Sequence, residues 1–272
     1  MIRLIQLEWE KFKKNNVFRT MVIAYIFLLP ALIFSMESIL DFIDFPLKSK
    51  SVFFEFPLIW KFMAYSGSWQ AFFFFGFLGV YMVTSEFQNR TLRQNILTGL
   101  NRSAFFGGKL LFATLLSALS TLYFVVITLV LGYLKSKNVE FESATQGVTS
   151  LSFRYFLMTF SYLNFGMFLG YILRKNGLAL LLYFTYIIFL EKIIRWWLQS
   201  KVLGVEDKYN LYYPMNVIND LTPLPLKEMM KQVTSFPAQY HLLEPNLAVA
   251  LALLWNVLFL VIAYTRFKKM DL

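Results

Sequence analysis

Six apolar runs, at about 17–40, 57–84, 110–134, 151–173, 178–198 and 246–267, constrain this chain more than any other feature. Each reaches the roughly 20 residues that an α-helix needs to cross the hydrocarbon core of a bilayer. Inside that core every backbone N–H and C=O must find its partner within the segment, which leaves helices for runs of this length. The composition agrees: 58% of the residues are hydrophobic, 31 are Phe and 15% are charged. Soluble domains have about 45–50% apolar and 25% charged residues. The expected fold class is therefore an all-α integral membrane protein with six transmembrane helices. Six spans leave room for loops but not for a second domain of about 100–150 residues, so 1–272 is read as one transmembrane domain. The first twenty residues have no apolar core followed by a small-residue cleavage site, so the first span serves as its own insertion signal.

The breaks between the runs set the organisation. Residues 1–16 can form an amphipathic interfacial helix with Ile2, Ile5, Trp9 and Phe12 on one face and Lys11, Lys13 and Lys14 toward its end. Leu4 and Leu7 fall on the far side, where they fray or touch a partner. Pro30 removes one backbone bond from the first span. The second span carries an unbroken run of four phenylalanines at 72–75, and the fourth has Gly166 and Gly170 in the G-x-x-x-G spacing that admits a neighbouring backbone. That spacing fits dimerisation or packing within the chain. Residues 174–177 make a tight basic turn, so the fourth and fifth spans are antiparallel neighbours. At the end of the fifth, Glu191 and Arg195 have i,i+4 pairing distance, and Trp196 and Trp197 suit an interface. Residues 199–245, with five prolines, read as an extracytoplasmic loop of short helices and turns on the membrane face.

An even number of spans puts both termini on one side. That side carries Arg3, Lys11, Lys13, Lys14, Arg19, Arg90, Arg93, Arg102, Lys109, Arg174, Lys175, Arg266, Lys268 and Lys269 against Glu8, Glu10, Glu86 and Asp271. The whole formal charge of +10 thus falls on it. The positive-inside rule makes it the cytoplasmic side of a multi-pass cell (inner) membrane protein, with N- and C-termini inside. The excess charge is accounted for without nucleic acid. The N-x-S/T patterns at Asn89 and Asn101 fall on the same side and escape glycosylation.

Between the second and third spans lies a polar, basic segment, 85–109. Thr91 and Gln94 have capping-box spacing, so a helix can start at Thr91, and Gly99 can close it. Ser103 can cap the next helix. Leu92, Ile96, Leu97 and Leu100 cluster on one side, with Gln94, Asn95 and Thr98 opposite. A second arrangement rests Leu92, Ile96 and Leu100 on the protein's own helices and leaves Leu97 and Arg93 outward. Either way an apolar stripe on a helix this short needs a partner surface, because isolated helices under about 12 residues are marginal in water.

Glu86, the Asn89-Arg90-Thr91-Leu92 step, Leu97, Arg102 and Gly108-Lys109 resemble the segment between the second and third membrane helices of ABC-2 type exporter permeases. The likeness extends more weakly over the whole chain, through the N-terminal amphipathic segment and six spans. It departs where the family has Gly before the Thr and often Pro before the Arg; here Arg90 and Asn101 stand. The resemblance implies that the segment is a coupling helix docking on a separate ABC ATPase, present in two copies beside a second, identical permease chain. It also implies export as the direction of transport. Glu86, Arg90, Arg93, Ile96, Leu97, Leu100 and Arg102 are then the candidates for that contact or its support.

The chemistry that the sequence lacks is consistent with this. The phosphate-cradling loop G-x-x-x-x-G-K-[ST] is missing: at Gly108-Lys109, Ser103 stands for the first Gly and Leu110 for the hydroxyl. ATP and Mg are therefore expected on the partner, with no cofactor in this chain. There is no Cys, and the one His, His241, supports no metal site. Buried polar residues point to a substrate path or to hydrogen bonds between helices; Gln70, Asn164 and Asn256 are the path candidates. All are uncharged, which disfavours an ion-coupled carrier and favours an amphipathic or lipid-like cargo, or a peptide. Two other functions stay open: a membrane-embedded lipid-modifying enzyme using His241, Glu244 and Asp220, and a non-transporting assembly or sensor subunit bound to an ATPase.

Overall fold

The computed structural model describes residues 2–42, 55–135, 144–204, 211–225 and 242–270, and every regular element among them is helical. In chain order these are α1 (Ile2–Phe12), α2 (Asn16–Phe42), α3 (Leu58–Gln88), α4 (Thr91–Leu97), α5 (Arg102–Lys135) and α6 (Val148–Leu173). Then come α7 (Asn176–Thr185), α8 (Pro214–Asp220) and α9 (Pro245–Lys268). The axis of α7 continues through a π-helical stretch Tyr186–Leu190, a short α segment Glu191–Ile193 and a second π stretch Ile194–Val202. Among the described residues, five helices are long and apolar enough to cross a membrane: Leu58–Gln88, Arg102–Lys135, Val148–Leu173, Asn176–Leu198 and Pro245–Lys268. The protein is a multi-pass membrane protein. The run at 17–40 folds as α2, of which Asn16–Ala31 is a shorter apolar stretch.

The centre of the bundle is the α3–α6 pair, most of whose surface is inside the protein. Small residues let these backbones meet. A methyl group added at Gly166 would stand 2.5 Å from the Gly76 carbonyl oxygen, and one at Gly170 2.9 Å from Val83 Cβ. The G-x-x-x-G spacing is therefore used within the chain. Gly76 also makes room for Tyr183 of α7, whose hydroxyl donates to the Phe72 carbonyl at 2.7 Å. Outside this pair, α5, α7 and α9 present exposed apolar stripes, including Leu119, Leu122 and Val126 on α5 and Leu254, Val257 and Val261 on α9. The 3- and 4-residue spacing is that of a lipid-facing helix side.

Several buried polar groups are matched across helices, as a medium without water favours. Pro30 leaves the Ile26 carbonyl without its helical donor, and the Tyr123 hydroxyl of α5 donates to it at 2.5 Å. The Tyr25 hydroxyl of α2 lies 2.8 Å from Ser120 Oγ and 2.7 Å from the Tyr155 hydroxyl, tying α2 to α5 and α6. Glu191 does not serve the expected helical pair with Arg195. It is buried, and its carboxylate accepts the backbone N–H groups of Met215 (3.1 Å) and Asn216 (2.9 Å). Those are free donors in the first turn of α8, so the carboxylate stands where a helix N-terminus favours negative charge. This pins α8, whose Met215, Val217 and Ile218 are buried, onto the membrane helices. At the other end of α8, Asp220 Oδ2 accepts the Leu243 N–H at 3.1 Å, and burial pushes its pKa up to about 6. His241 lies outside the described residues.

Candidate functional site

The long helices reach further into the 85–109 segment than the sequence predicts. α3 continues to Gln88 and α5 begins at Arg102, so only 89–101 lies between them, and it holds α4. The capping box does not form. The N-cap of α4 is Arg90, with a left-handed backbone, and the Thr91 hydroxyl turns back to Glu86 Oε2 at 2.5 Å. Gly99, at φ 99°, ends the helix as expected; the Leu100 N–H reaches the Asn95 carbonyl at 3.0 Å. Asn101, not Ser103, caps α5: its side-chain oxygen accepts the Ala104 N–H at 2.6 Å. The Ser103 hydroxyl instead lies 3.1 Å from that of Tyr264.

The four apolar residues of the 91–100 stretch do not share one side. Leu92 is 2% exposed, Ile96 and Leu100 are half-buried against the core, and Leu97 is 76% exposed. At 100° per residue Leu97 is turned about 140° from Leu92, so a helix resting on Leu92 and Ile96 must turn Leu97 outward. Arg93 is exposed as well. Asn95 is not on an outer face: it is half-buried and lines a groove with Leu4, Leu7, Glu8 and Lys11 of α1 and Ala104, Phe105 and Gly108 of α5.

Beneath α4 lies a cluster of four charges. Lys109 Nζ of α5 is 2.5 Å from Glu8 Oε2 of α1 and 2.8 Å from Glu86 Oε1 of α3. Lys11 Nζ of α1 is 3.0 Å from Glu8 Oε1 and 2.9 Å from Glu86 Oε1. Lys109, Glu86 and Glu8 are 1%, 3% and 4% exposed. Two carboxylates and two ammonium groups balance, which is what lets them be buried at all. The Lys109 ammonium also sits over the rings of Phe12 (4.8 Å) and Phe105 (5.4 Å), whose faces are electronegative. Burial works against the charge on Lys11, but the Glu8 and Glu86 carboxylates outweigh it and its pKa is raised. With the Thr91 bond, the cluster fastens α1, α3, α4 and α5 into one block.

This arrangement fixes the face of α1. Phe12 and Glu8 are buried and Leu4 packs beside Gly108, so the side with Leu4, Glu8 and Phe12 rests on α5. Of the expected stripe of Ile2, Ile5, Trp9 and Phe12, Phe12 is on this packed side and Trp9 is 47% exposed. The charges decide, since an ion cluster needs all its members on the same side. Arg102 is bound too. Its Nη1 donates to the carbonyls of Phe267 (3.2 Å), Lys268 (2.7 Å) and Met270 (2.7 Å), neutralising the C-terminal end of α9. Glu86 thus supports α4 through Thr91 and Arg102 holds the end of α9, while Arg90, Arg93 and Leu97 are exposed.

Two of the candidates for a substrate path are bonded to each other across helices. Asn164 of α6 donates to Asn256 Oδ1 of α9 at 2.8 Å, and Asn256 Nδ2 donates to Ser161 Oγ at 2.7 Å. Gln70 is buried in α3, and neither of its amide atoms has a partner among the described residues. No group of three or more His, Cys, Asp or Glu able to hold a metal occurs among the described residues.

Sequence reasoning missed Glu8, Lys11 and Lys109. The available signal was Lys109 next to a 25-residue apolar run, where a lone lysine needs a counter-charge, and Glu8 with Lys11 one helical turn apart. A comparison with curated proteins finds no match. A family model covers residues 17–272, from the start of α2 through the whole bundle, leaving outside it only the N-terminal stretch that supplies Glu8 and Lys11. On that match the chain belongs to the family described as protein of unknown function DUF2705.

Proposed function

We propose that this chain is the membrane-spanning subunit of an ABC-2 type exporter. It crosses the membrane six times, with α2 as the first crossing and the α4 face in the cytoplasm. It moves an amphipathic or lipid-like substrate, or a peptide, and ATP is hydrolysed on a separate subunit. The observation that carries this reading is α4 itself: a seven-residue helix with Leu97 76% exposed, set on a block of four helices joined by a buried ion cluster. A short helix held rigidly by its base and apolar at its tip is suited to receive a push from a docked protein. Two ATPase copies and a second permease chain complete the assembly. The push reaches α3 and α5 directly, since α4 lies between them. It shifts the spans only if the ATPase contacts α4 differently before and after closing on ATP.

Purification tests the reading. The chain, tagged and extracted gently from its native membrane, is expected to bring with it a soluble subunit that has a phosphate-binding loop and hydrolyses ATP. A pure, folded preparation that hydrolyses ATP by itself would end it. Topology is checked separately, because the chain has no cysteine. Single cysteines at positions 91 and 174 are expected to resist an impermeant thiol reagent in sealed cells, and one at 137 to react. Labelling at 91 from outside contradicts the six-crossing topology.

A further inference from the structure

The two central helices end side by side, and each ends on an arginine whose backbone conformation favours glycine. α3 and α6 run parallel: Gly67 faces Tyr155, Gly79 faces Leu163, Val83 faces Gly170, and the Phe87 ring lies 6.5 Å from that of Tyr171. Contacts advance together along both helices, so the residues three positions beyond the last pair, Arg90 and Arg174, come out abreast. Arg90 has φ 57° and Arg174 φ 58°. In this left-handed region Cβ crowds the following carbonyl, and glycine is the usual residue just after a helix. The other positive-φ positions among the described residues are all glycine: Gly99, Gly147 and Gly204. Both arginines are exposed, and among the described residues neither guanidinium has an ion pair or hydrogen bond. Arg93 and Lys175 stand beside them, also exposed.

Their position says what they meet. α3 packs against α2, α5, α6 and α7, and α6 against α3, α5, α7 and α9, while the exposed apolar stripes of α5, α7 and α9 suit lipid. The ends of the central pair are therefore set among the other helices and face the aqueous compartment. A pair of guanidinium forks there matches carboxylates on a soluble protein, which they can hold in bidentate fashion.

We propose that Arg90 and Arg174 form a paired cationic contact for an acidic patch on the soluble partner that docks on α4. The inference rests on the reading of α4 as the docking helix. It adds the 174–177 turn, which no feature of α4 implicates, as a second contact point. It also gives the strained backbone a reason, since glycine would relieve the strain and remove the guanidinium.

A photo-crosslinking residue placed singly at 90, 97 and 174, in the full chain and its native membrane, tests this, with products identified by mass spectrometry. All three positions are expected to capture the same soluble ATPase. The double variant R90G/R174G is expected to reach the membrane at normal levels with equal or higher thermal stability. Its capture of that ATPase should weaken about tenfold and lose most of its dependence on ionic strength. Phospholipid products at 90 and 174 would mean an anionic headgroup and overturn the proposal. Protein capture at 97 alone would overturn it and leave the docking-helix reading in place; no protein capture at any of the three would overturn both. A double glycine variant with unchanged affinity and salt dependence would overturn it as well.

Discussion

Lys109→Met is expected to destabilise the protein by about 3–5 kcal/mol, the range for removing one member of a buried ion pair. Methionine fills similar space and keeps the contact with the rings of Phe12 and Phe105, so the loss isolates the charge. What remains is Glu8 and Glu86, both almost fully buried, sharing the single ammonium of Lys11. The uncompensated carboxylate must take up a proton or pull α1 away from α5. Glu86→Gln creates the opposite imbalance, with Lys109 and Lys11 sharing Glu8, and is expected to be damaging too. The double variant Glu86→Gln/Lys109→Met leaves the neutral Glu8–Lys11 pair and should recover much of the loss. Thermal unfolding in detergent, with membrane level as a second readout, decides this. If the double variant is as unstable as the two single losses added together, charge balance is not what holds the block.

If α4 docks on an ATPase, Leu97→Asp is expected to have its large effect on association and not on folding. Leu97 is 76% exposed, so the free protein should change within the ~0.5 kcal/mol usual for surface sites and reach the membrane normally. Against an apolar groove on a docked ATPase, a carboxylate costs about 2–4 kcal/mol, or roughly 30- to 1000-fold in affinity. Export should fail with it, and Leu97→Ala should fall between. Ile96→Asp behaves differently, because Ile96 is half-buried against the protein's own core. It should lower the membrane level itself. Capture of the ATPase at matched membrane levels separates the two, and normal capture with Leu97→Asp would exclude Leu97 from the docking surface.

Much of the bundle was legible in the sequence because the bilayer imposes a one-dimensional rule. A run of roughly 20 apolar residues must be a helix whatever surrounds it. Thus five of the predicted runs match long apolar helices, α2 covers the run at 17–40, and Gly99 closes α4 where expected. Local signals failed where a side chain had a better partner far along the chain. Thr91 could have capped α4, but its hydroxyl is held by Glu86. Glu191 could have paired one turn along its own helix, but the free N–H groups of α8 lie against it. Leu97 could be placed on either side of α4 by periodicity, and only the seating of Leu92 in the core turned it outward.

The sequence by itself determined the helices, their polar breaks and the concentration of positive charge at a few of those breaks. Each of these depends on residues within a few turns of one another. The tertiary structure alone decided that Glu8, Lys11, Glu86 and Lys109 form one cluster, and that α3 and α6 run side by side. A buried charge is tolerable only beside its counter-charge, and the counter-charges of Lys109 lie 23 and 101 positions away, on α3 and α1. Nothing local in the sequence encodes that distance; the packing of the helices supplies it.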